Sequence, residues 1–360
     1  MPAITPTPRT RVLAALIALS TLVLAAACGG SDNGSGAPQG PAATLRLGYF
    51  ANVTHAAAIV GVDRGFIARE LGGTRLQTQI FDAGPSTVEA LFGGALDAAY
   101  IGPNPAINAF AKSDGKAIRI IAGATSGGAQ LVVRPGINTV QDLRGKELAS
   151  PELGNTQDVA LRAWLTTQGL RNSVRGGGDV TIMPTKSSDT LQLVKSGTLD
   201  GAWVAEPWAS RLVLEAGGTV LVNERDLWPN GQFVTTQLIV RTEFLENHPQ
   251  TVEALLRGHV DAVQWATQNS AEARTVVNEG IDALTGKPLQ PEVVDRAWQN
   301  LTVTNDPIAA SLQRSAENAV AAGVTKEKVD LHGIYELSIL NRILTQRGLP
   351  TVSAHGLGKD

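Results

Sequence analysis

Apolar residues recur along this chain in two alternating rhythms, short unbroken or period-two runs and longer stretches with a helical spacing. Leu45-Arg-Leu-Gly-Tyr49-Phe50 predicts a first strand, and Ile59, Val60, Phe66 and Ile67 predict a helix over Ala56–Leu71 stopped by Gly72-Gly73. Strands at Leu76–Phe81 and Ala98–Ile101 alternate with helices opened near Ser86 and Pro105. Further strands are expected at Ile118–Ala122 and Leu131–Arg134, joined by the loop Thr125-Ser126-Gly127-Gly128. The order then restarts: strand Glu147–Ser150, helix Asp158–Gln168, strand Val180–Met183, helix Thr190–Lys195, a strand at Trp203, a helix after Glu206-Pro207, and Val220–Val222. Phe233–Arg241 reads as a strand returning to the first half, and helical patterns at Thr251–Gln268, Pro291–Gln299 and Ile334–Gln346 follow it.

Two segments about a hundred residues apart repeat one pattern. Gly94-Ala-Leu-Asp97-Ala-Ala-Tyr100 and Gly197-Thr-Leu-Asp200-Gly-Ala-Trp203 each follow a helical pattern, make a tight turn and enter a short apolar strand. The next helix is opened by Pro103-Asn104-Pro or by Glu206-Pro207. A unit made twice predicts two similar α/β lobes with a cleft between them. We expect lobe 1 at residues 44–134 and 235–360, lobe 2 at 135–234, and two crossover segments as the hinge, outbound at Leu131–Arg134 and returning at Phe233–Arg241. Alternating strands and helices imply mostly parallel sheets.

The first residues change the picture of where such a body resides. Arg9 and Arg11 precede an apolar run from Val12 to Ala27, which is the form of a secretory signal over residues 1–27. That run is shorter than the ~20 residues of a membrane-spanning helix. Leu24-Ala25-Ala26-Ala27-Cys28 resembles a lipobox, so Cys28 is expected to carry lipid, with 28–43, rich in Gly, Ser and Pro, as a flexible tether. Cys28 is the chain's single cysteine, which excludes an internal disulfide and a thiol nucleophile in the body. Net charge is −3 with 18% charged residues and no basic block, which argues against a nucleic-acid partner. No Ser-His-Asp order, phosphate-cradling glycine loop or metal-ligand spacing occurs, so no catalytic residue, metal or cofactor is expected.

In sheets of this kind ligands gather beyond the carboxyl ends of strands, where loops lead into helix N-termini. Four such junctions are candidates: Gly84-Pro85-Ser86, Gly102-Pro103-Asn104, Gly154-Asn155-Thr156 with Gln157, and Glu206-Pro207-Trp208. Helix starts offer free amides and a partial positive charge worth roughly 0.3–2 kcal/mol each to an anion. None of the four contains Lys or Arg, so an anion would be held by amides and hydroxyls alone. The loop after the first strand adds Asn52, Thr54 and His55; Gly127, Gly128 and Thr235 sit at the crossings, and Tyr49, Phe50, Trp203 and Trp208 are the aromatic candidates. Ser86, Asn104 and Asn155 are also ordinary N-cap residues, and Ser86 with Glu89 fits a capping box. Glu206 opposes an anion, so it points away, caps its helix or meets an ammonium on the ligand.

With these loops placed, the chain resembles the solute-binding proteins of bacterial ABC importers, in the branch serving aliphatic sulfonates, taurine, nitrate and thiamine precursors. The resemblance rests on Leu47-Gly48-Tyr49-Phe50, Gly93-Gly-Ala-Leu-Asp97, Asp142-Leu143-Arg144-Gly145-Lys146, Gly201-Ala-Trp-Val-Ala-Glu206-Pro207-Trp208 and Thr242-Glu-Phe244-Leu-Glu-Asn-His248-Pro249. It implies a two-lobed type II periplasmic-binding-protein fold and a non-catalytic, monomeric receptor. Such a receptor is lipid-anchored outside the cytoplasmic membrane and delivers a small anion to permease transmembrane subunits. A vitamin-precursor or nitrate receptor, and a sensor lipoprotein without a permease, are the alternatives.

Overall fold

The structure, a computed structural model, describes residues 40–360. The expected signal, Cys28 and most of the tether lie outside those residues. The tether's expected last residues are tied down: Ala42 is buried, its amide donates to Thr251 Oγ1 at 2.8 Å, and its carbonyl accepts from Thr74 Oγ1 at 2.6 Å.

Thirteen strands among the described residues form two sheets. The chain begins with β1 (Thr44–Phe50), β2 (Arg75–Phe81), β3 (Ala98–Ile101) and β4 (Ile118–Gly127). It continues with β5 (Ala129–Val133), β6 (Glu147–Ser150), β7 (Thr181–Pro184), β8 (Gly201–Ala205) and β9 (Thr219–Asn223). It ends with β10 (Val234–Arg241) and the short β11 (Leu301–Val303), β12 (Tyr335–Glu336) and β13 (Gly358–Lys359). The first sheet runs β13-β12-β4-β10-β3-β1-β2, with β11 on β4, and the second runs β7-β6-β8-β5-β9. Each holds a parallel trio, β2-β1-β3 or β7-β6-β8. Each trio is flanked by an antiparallel strand arriving from the other half, β10 beside β3 and β5 beside β8.

The repeated Gly-x-Leu-Asp motif does one job in both halves. Gly94 and Gly197 turn the chain with φ of 70° and 81°, where a side chain would be strained. Leu96 and Leu199 are buried. Asp97 Oδ2 accepts the amide of Arg46 at 2.9 Å, and Asp200 Oδ2 accepts that of Glu147 at 2.9 Å. Arg46 and Arg134 pair with the two carboxylates. Each aspartate therefore anchors the start of the neighbouring parallel strand, and this fixes the register of both trios.

Alternation along the second sheet supplies two cores. Leu131, Val133 and Trp203 face one, and Val132, Ala202 and Val204 face the other. Because β5 pairs wholly within this sheet, Leu131–Val133 is not the outbound crossing; the chain crosses earlier, at Gly127-Gly128. Thr125 and Ser126, expected in a loop, extend β4 because β10 and β11 pair with them. The helix expected over Ala56–Leu71 is two, Ala56–Asp63 and Phe66–Leu71, broken where Gly65 takes φ 70°.

Candidate functional site

The halves meet around a small chamber. From the first half come Phe50, the loop residues Asn52, Thr54 and His55, Asp82 after β2, Gly102 after β3, and Thr235 and Thr236 on β10. The second half supplies Pro151, Asn155, Thr156 and Gln157, together with Ser187, Ala205 and Trp208. Four helices, Pro103–Lys112, Thr156–Thr167, Ser187–Ser196 and Trp208–Ala216, each send their first residue or the one before it into this lining. The chamber's volume is about 30 Å³, room for an ion or a head group rather than a whole metabolite.

The start of helix Thr156–Thr167 is the most built-up wall. Asn155 Oδ1 accepts the amide of Gln157 at 3.2 Å, capping its own helix. Asp158, buried, accepts from Ser150 Oγ at 2.7 Å, Gly154 N at 3.0 Å and Arg162 Nε at 2.9 Å, which fixes the loop carrying these residues. Thr156 is 6% exposed and its hydroxyl has no partner. A Cβ at Gly102 would lie 2.3 Å from that hydroxyl, so glycine lets the two helix starts approach across the cleft.

Opposite, His55 is fully buried and stacked on Phe50 with ring centroids 4.3 Å apart. Its Nδ1 accepts from Phe50 N at 3.3 Å, which puts the proton on Nε2 as a donor. Burial pushes its pKa down to about 3, so it is neutral at physiological pH. Trp208 Nε1 donates to Asn52 Oδ1 at 3.1 Å across the cleft. Asp82, the one carboxylate in the lining, is largely exposed and bridges to Lys186 Nζ at 2.9 Å, which offsets its charge. No Lys or Arg lines the chamber.

Of the residues singled out from sequence, Phe50, Asn52, Thr54, His55, Gly102, Asn155, Thr156, Gln157, Trp208 and Thr235 come together here. Others are placed elsewhere, for identifiable reasons. Tyr49 and Trp203 are mid-strand residues turned into the cores; burial pushes the Tyr49 hydroxyl up to about 12, and Trp203 Nε1 donates to Glu224 at 2.8 Å. Ser86 does not cap: the helix begins at Gly84 with Ala83 as its N-cap, and Ser86 Oγ donates back to Ala83 O at 2.9 Å. Gly84 and Pro85 begin that helix, with Gly84 pressed on Pro105. Pro103 is buried, and Asn104 Nδ2 donates to Ser315 O at 2.9 Å, away from the chamber. Gly154 serves Asp158, while Gly127 and Gly128 form the crossing.

Glu206 is turned away from the chamber and buried. It caps its own helix through Ser210 N at 2.9 Å and accepts from Asn300 Nδ2 at 2.7 Å and Arg296 Nη1 at 3.3 Å. Burial raises its pKa, opposed by the bonds from Ser210 and Asn300. Asp82, Pro151, Ser187, Ala205 and Thr236 were not singled out from sequence. Ser187 had a visible signal, a serine directly before a helical pattern, but Lys186-Ser187-Ser188 reads equally well as a polar turn.

Known proteins match this arrangement along most of the chain. The profile of the NMT1-like family matches residues 38–279. A Bacillus subtilis protein provisionally named an aliphatic sulfonates-binding protein is 24% identical over 341 residues, 92% of this chain and 96% of its own length. The taurine-binding periplasmic protein of Escherichia coli is 29% identical over 208 residues, 58% of this chain and 62% of that one. Among solved structures, the alkanesulfonate-binding protein SsuA of Xanthomonas axonopodis, bound to MOPS, superposes with a TM-score of 0.66 at 21% identity, covering 80% of this chain and 96% of that one. The chain belongs to the NMT1-like family and has the two-lobed type II fold of periplasmic binding proteins.

Proposed function

We propose that this chain is the extracytoplasmic solute-binding component of an ABC importer, and that its chamber takes the oxyanionic head of a sulfonate. One observation carries the reading: a buried threonine hydroxyl with no partner, Thr156 Oγ1, stands where helix starts from both halves converge. A buried unsatisfied hydroxyl costs about 1–3 kcal/mol, which an accepting oxygen would recover. Helix N-termini, neutral side-chain donors and His55 Nε2–H supply further positive ends of dipoles without a formal charge. The sulfonate-, taurine- and alkanesulfonate-binding names of the relatives point the same way.

The absence of a carboxylate free to meet an ammonium favours a plain sulfonate over an amino-sulfonate, because Glu206 is committed elsewhere. A bare oxyanion such as nitrate is the second reading, favoured by the chamber's small volume. A thermal-shift panel of sulfonates, taurine, nitrate and thiamine precursors tests the assignment. Sulfonates should stabilise the protein, and stabilisation by uncharged or cationic heterocycles alone would refute it. The relatives are binding proteins, and among the described residues no group of three or more His, Cys, Asp or Glu is placed to hold a metal.

The membrane attachment rests on Cys28 and its preceding Leu24–Ala27, which lie outside the described residues. Replacing Cys28 with Ser should move the protein from the membrane to the soluble fraction. Unchanged membrane association would rule the lipid anchor out.

A further inference from the structure

Behind the chamber lies a second, smaller space. Thr156 lines both the chamber and a cavity of about 10 Å³, room for a single water, whose walls come from both halves. Its polar residues are Asn104, Ser315 and Asn318 from the first half and Thr156 and Glu224 from the second. Of the described residues that line it, Glu224 alone carries an acid or base. Its buried carboxyl accepts from Trp203 Nε1 at 2.8 Å and is bonded also by Trp228, two neutral indoles. The charged groups on the surrounding elements are engaged elsewhere. Arg225 reaches Asn300 O at 3.1 Å, Arg314 donates to Leu227 O at 2.8 Å and lies over the Trp228 ring, and Asp158 pairs with Arg162 at 2.9 Å. Asp226 and Glu317 are exposed, and strands β5 and β9, packed against Glu224–Leu227, carry no charged residue.

A carboxyl buried beside no cation is held neutral by the cost of ionising it, and burial raises that of Glu224 to about 7 against the bonds from Trp203 and Trp228. An anion in the chamber, one small cavity away, adds to the cost. We infer that Glu224 couples solute binding to a proton: the chamber takes its anion tightly only while this carboxyl is neutral, and ionisation of Glu224 loosens it. The inference rests on the oxyanion reading of the chamber. Glu224 acts through its field rather than by contact. At the effective dielectric of a protein interior (~20), a unit charge so placed changes anion affinity by about tenfold. Reciprocity then requires the bound anion to hold the proton on Glu224, so binding near neutral pH takes up a fraction of a proton.

Titration calorimetry of butanesulfonate, anionic at every pH used, in buffers of differing ionisation enthalpy reads both effects. Affinity should be about tenfold higher near pH 5.5 than near pH 8.5, with net proton uptake between. His55, at about 3, is neutral across this range and contributes nothing to it. Glu224→Gln copies the neutral form, so its affinity should stay at the low-pH value at every pH, with no proton taken up. Binding by the wild type with no pH dependence and no proton uptake would overturn the coupling and leave the head-group reading standing, whether or not the variant folds. A Glu224→Gln protein that keeps the wild-type pH profile would overturn it equally. A purely structural Glu224 would change stability with pH but exchange no proton on binding. Failure of butanesulfonate to bind at any pH would overturn the head-group reading and this inference with it.

Discussion

Thr156 concentrates the functional argument in one atom. Thr156→Val keeps the shape and removes the hydroxyl, so sulfonate affinity should fall roughly tenfold by titration calorimetry, as expected for a hydrogen bond to a charged group. Thermal stability should stay the same or rise, because a buried hydroxyl without a partner becomes a methyl. A loss of stability with unchanged affinity would show a structural threonine instead. Glu224 gives a second single-residue prediction. It is fully buried, bonded to Trp203 Nε1, and burial raises its pKa from 4.5 to about 7. Between those two values the folded protein keeps a proton that the unfolded chain has released. Stability should therefore fall as pH rises through that window, by on the order of 3 kcal/mol, and level off above it. Glu224→Gln should flatten the slope in denaturant titrations at several pH values. Thr156 stands in sequence at one of the candidate junctions, but its lack of a partner cannot be read there, and nothing in the sequence marks Glu224. What singles them out is the partner each lacks or finds in three dimensions.

At the level of elements, helix Pro291–Gln299 acts as a bolt near the crossing. Arg296 reaches Glu206, Ser210 Oγ at 2.9 Å and Gln130 Oε1 at 2.9 Å, while Asn300, just past the helix, reaches Glu206 and accepts from Arg225 at 3.1 Å. Arg296→Ala would leave the buried Glu206 carboxylate with two donors and no cation. We expect it to cost about 2–3 kcal/mol in denaturant titration, below the full range for a buried pair because Arg296 is partly exposed. Glu206→Gln in the same background should recover part of that loss. Most elements could be read in the sequence because their apolar period is strong, as in helix Pro291–Gln299 and β10. The reading failed where tertiary pairing overrode local signals: Thr125 and Ser126 look like loop but complete β4, and Gly65 divides a helix the periodicity ran through. At Glu206-Pro207 the motif marks the helix start, and of the three roles left open for the carboxylate the structure selects turning away and capping its own helix.

In the whole molecule, duplication sets the site. The two Gly-x-Leu-Asp turns place β3 and β8 at equivalent positions in their sheets, so the loops beyond them face each other. That much followed from the repeat alone. The fourth contributing helix did not, because the junction at Gly84 packs on Pro105 while Ser187 enters the chamber instead. Two contacts across the cleft, Trp208 with Asn52 and Lys186 with Asp82, hold the halves together over the chamber. The crossing at Gly127-Gly128 takes φ 77° at both residues, and a Cβ on Gly127 would sit 2.8 Å from Asn300 O. On the proposed reading, receptor and site are one construction, in which uncharged donors at helix starts do the work of a cation. Titration calorimetry of butanesulfonate against butanesulfonamide, its uncharged counterpart of nearly equal shape, tests that claim most directly. The sulfonate should bind at least a hundredfold more tightly. Equal affinities would mean that the chamber recognises shape alone and that the converging helix starts have no part in binding.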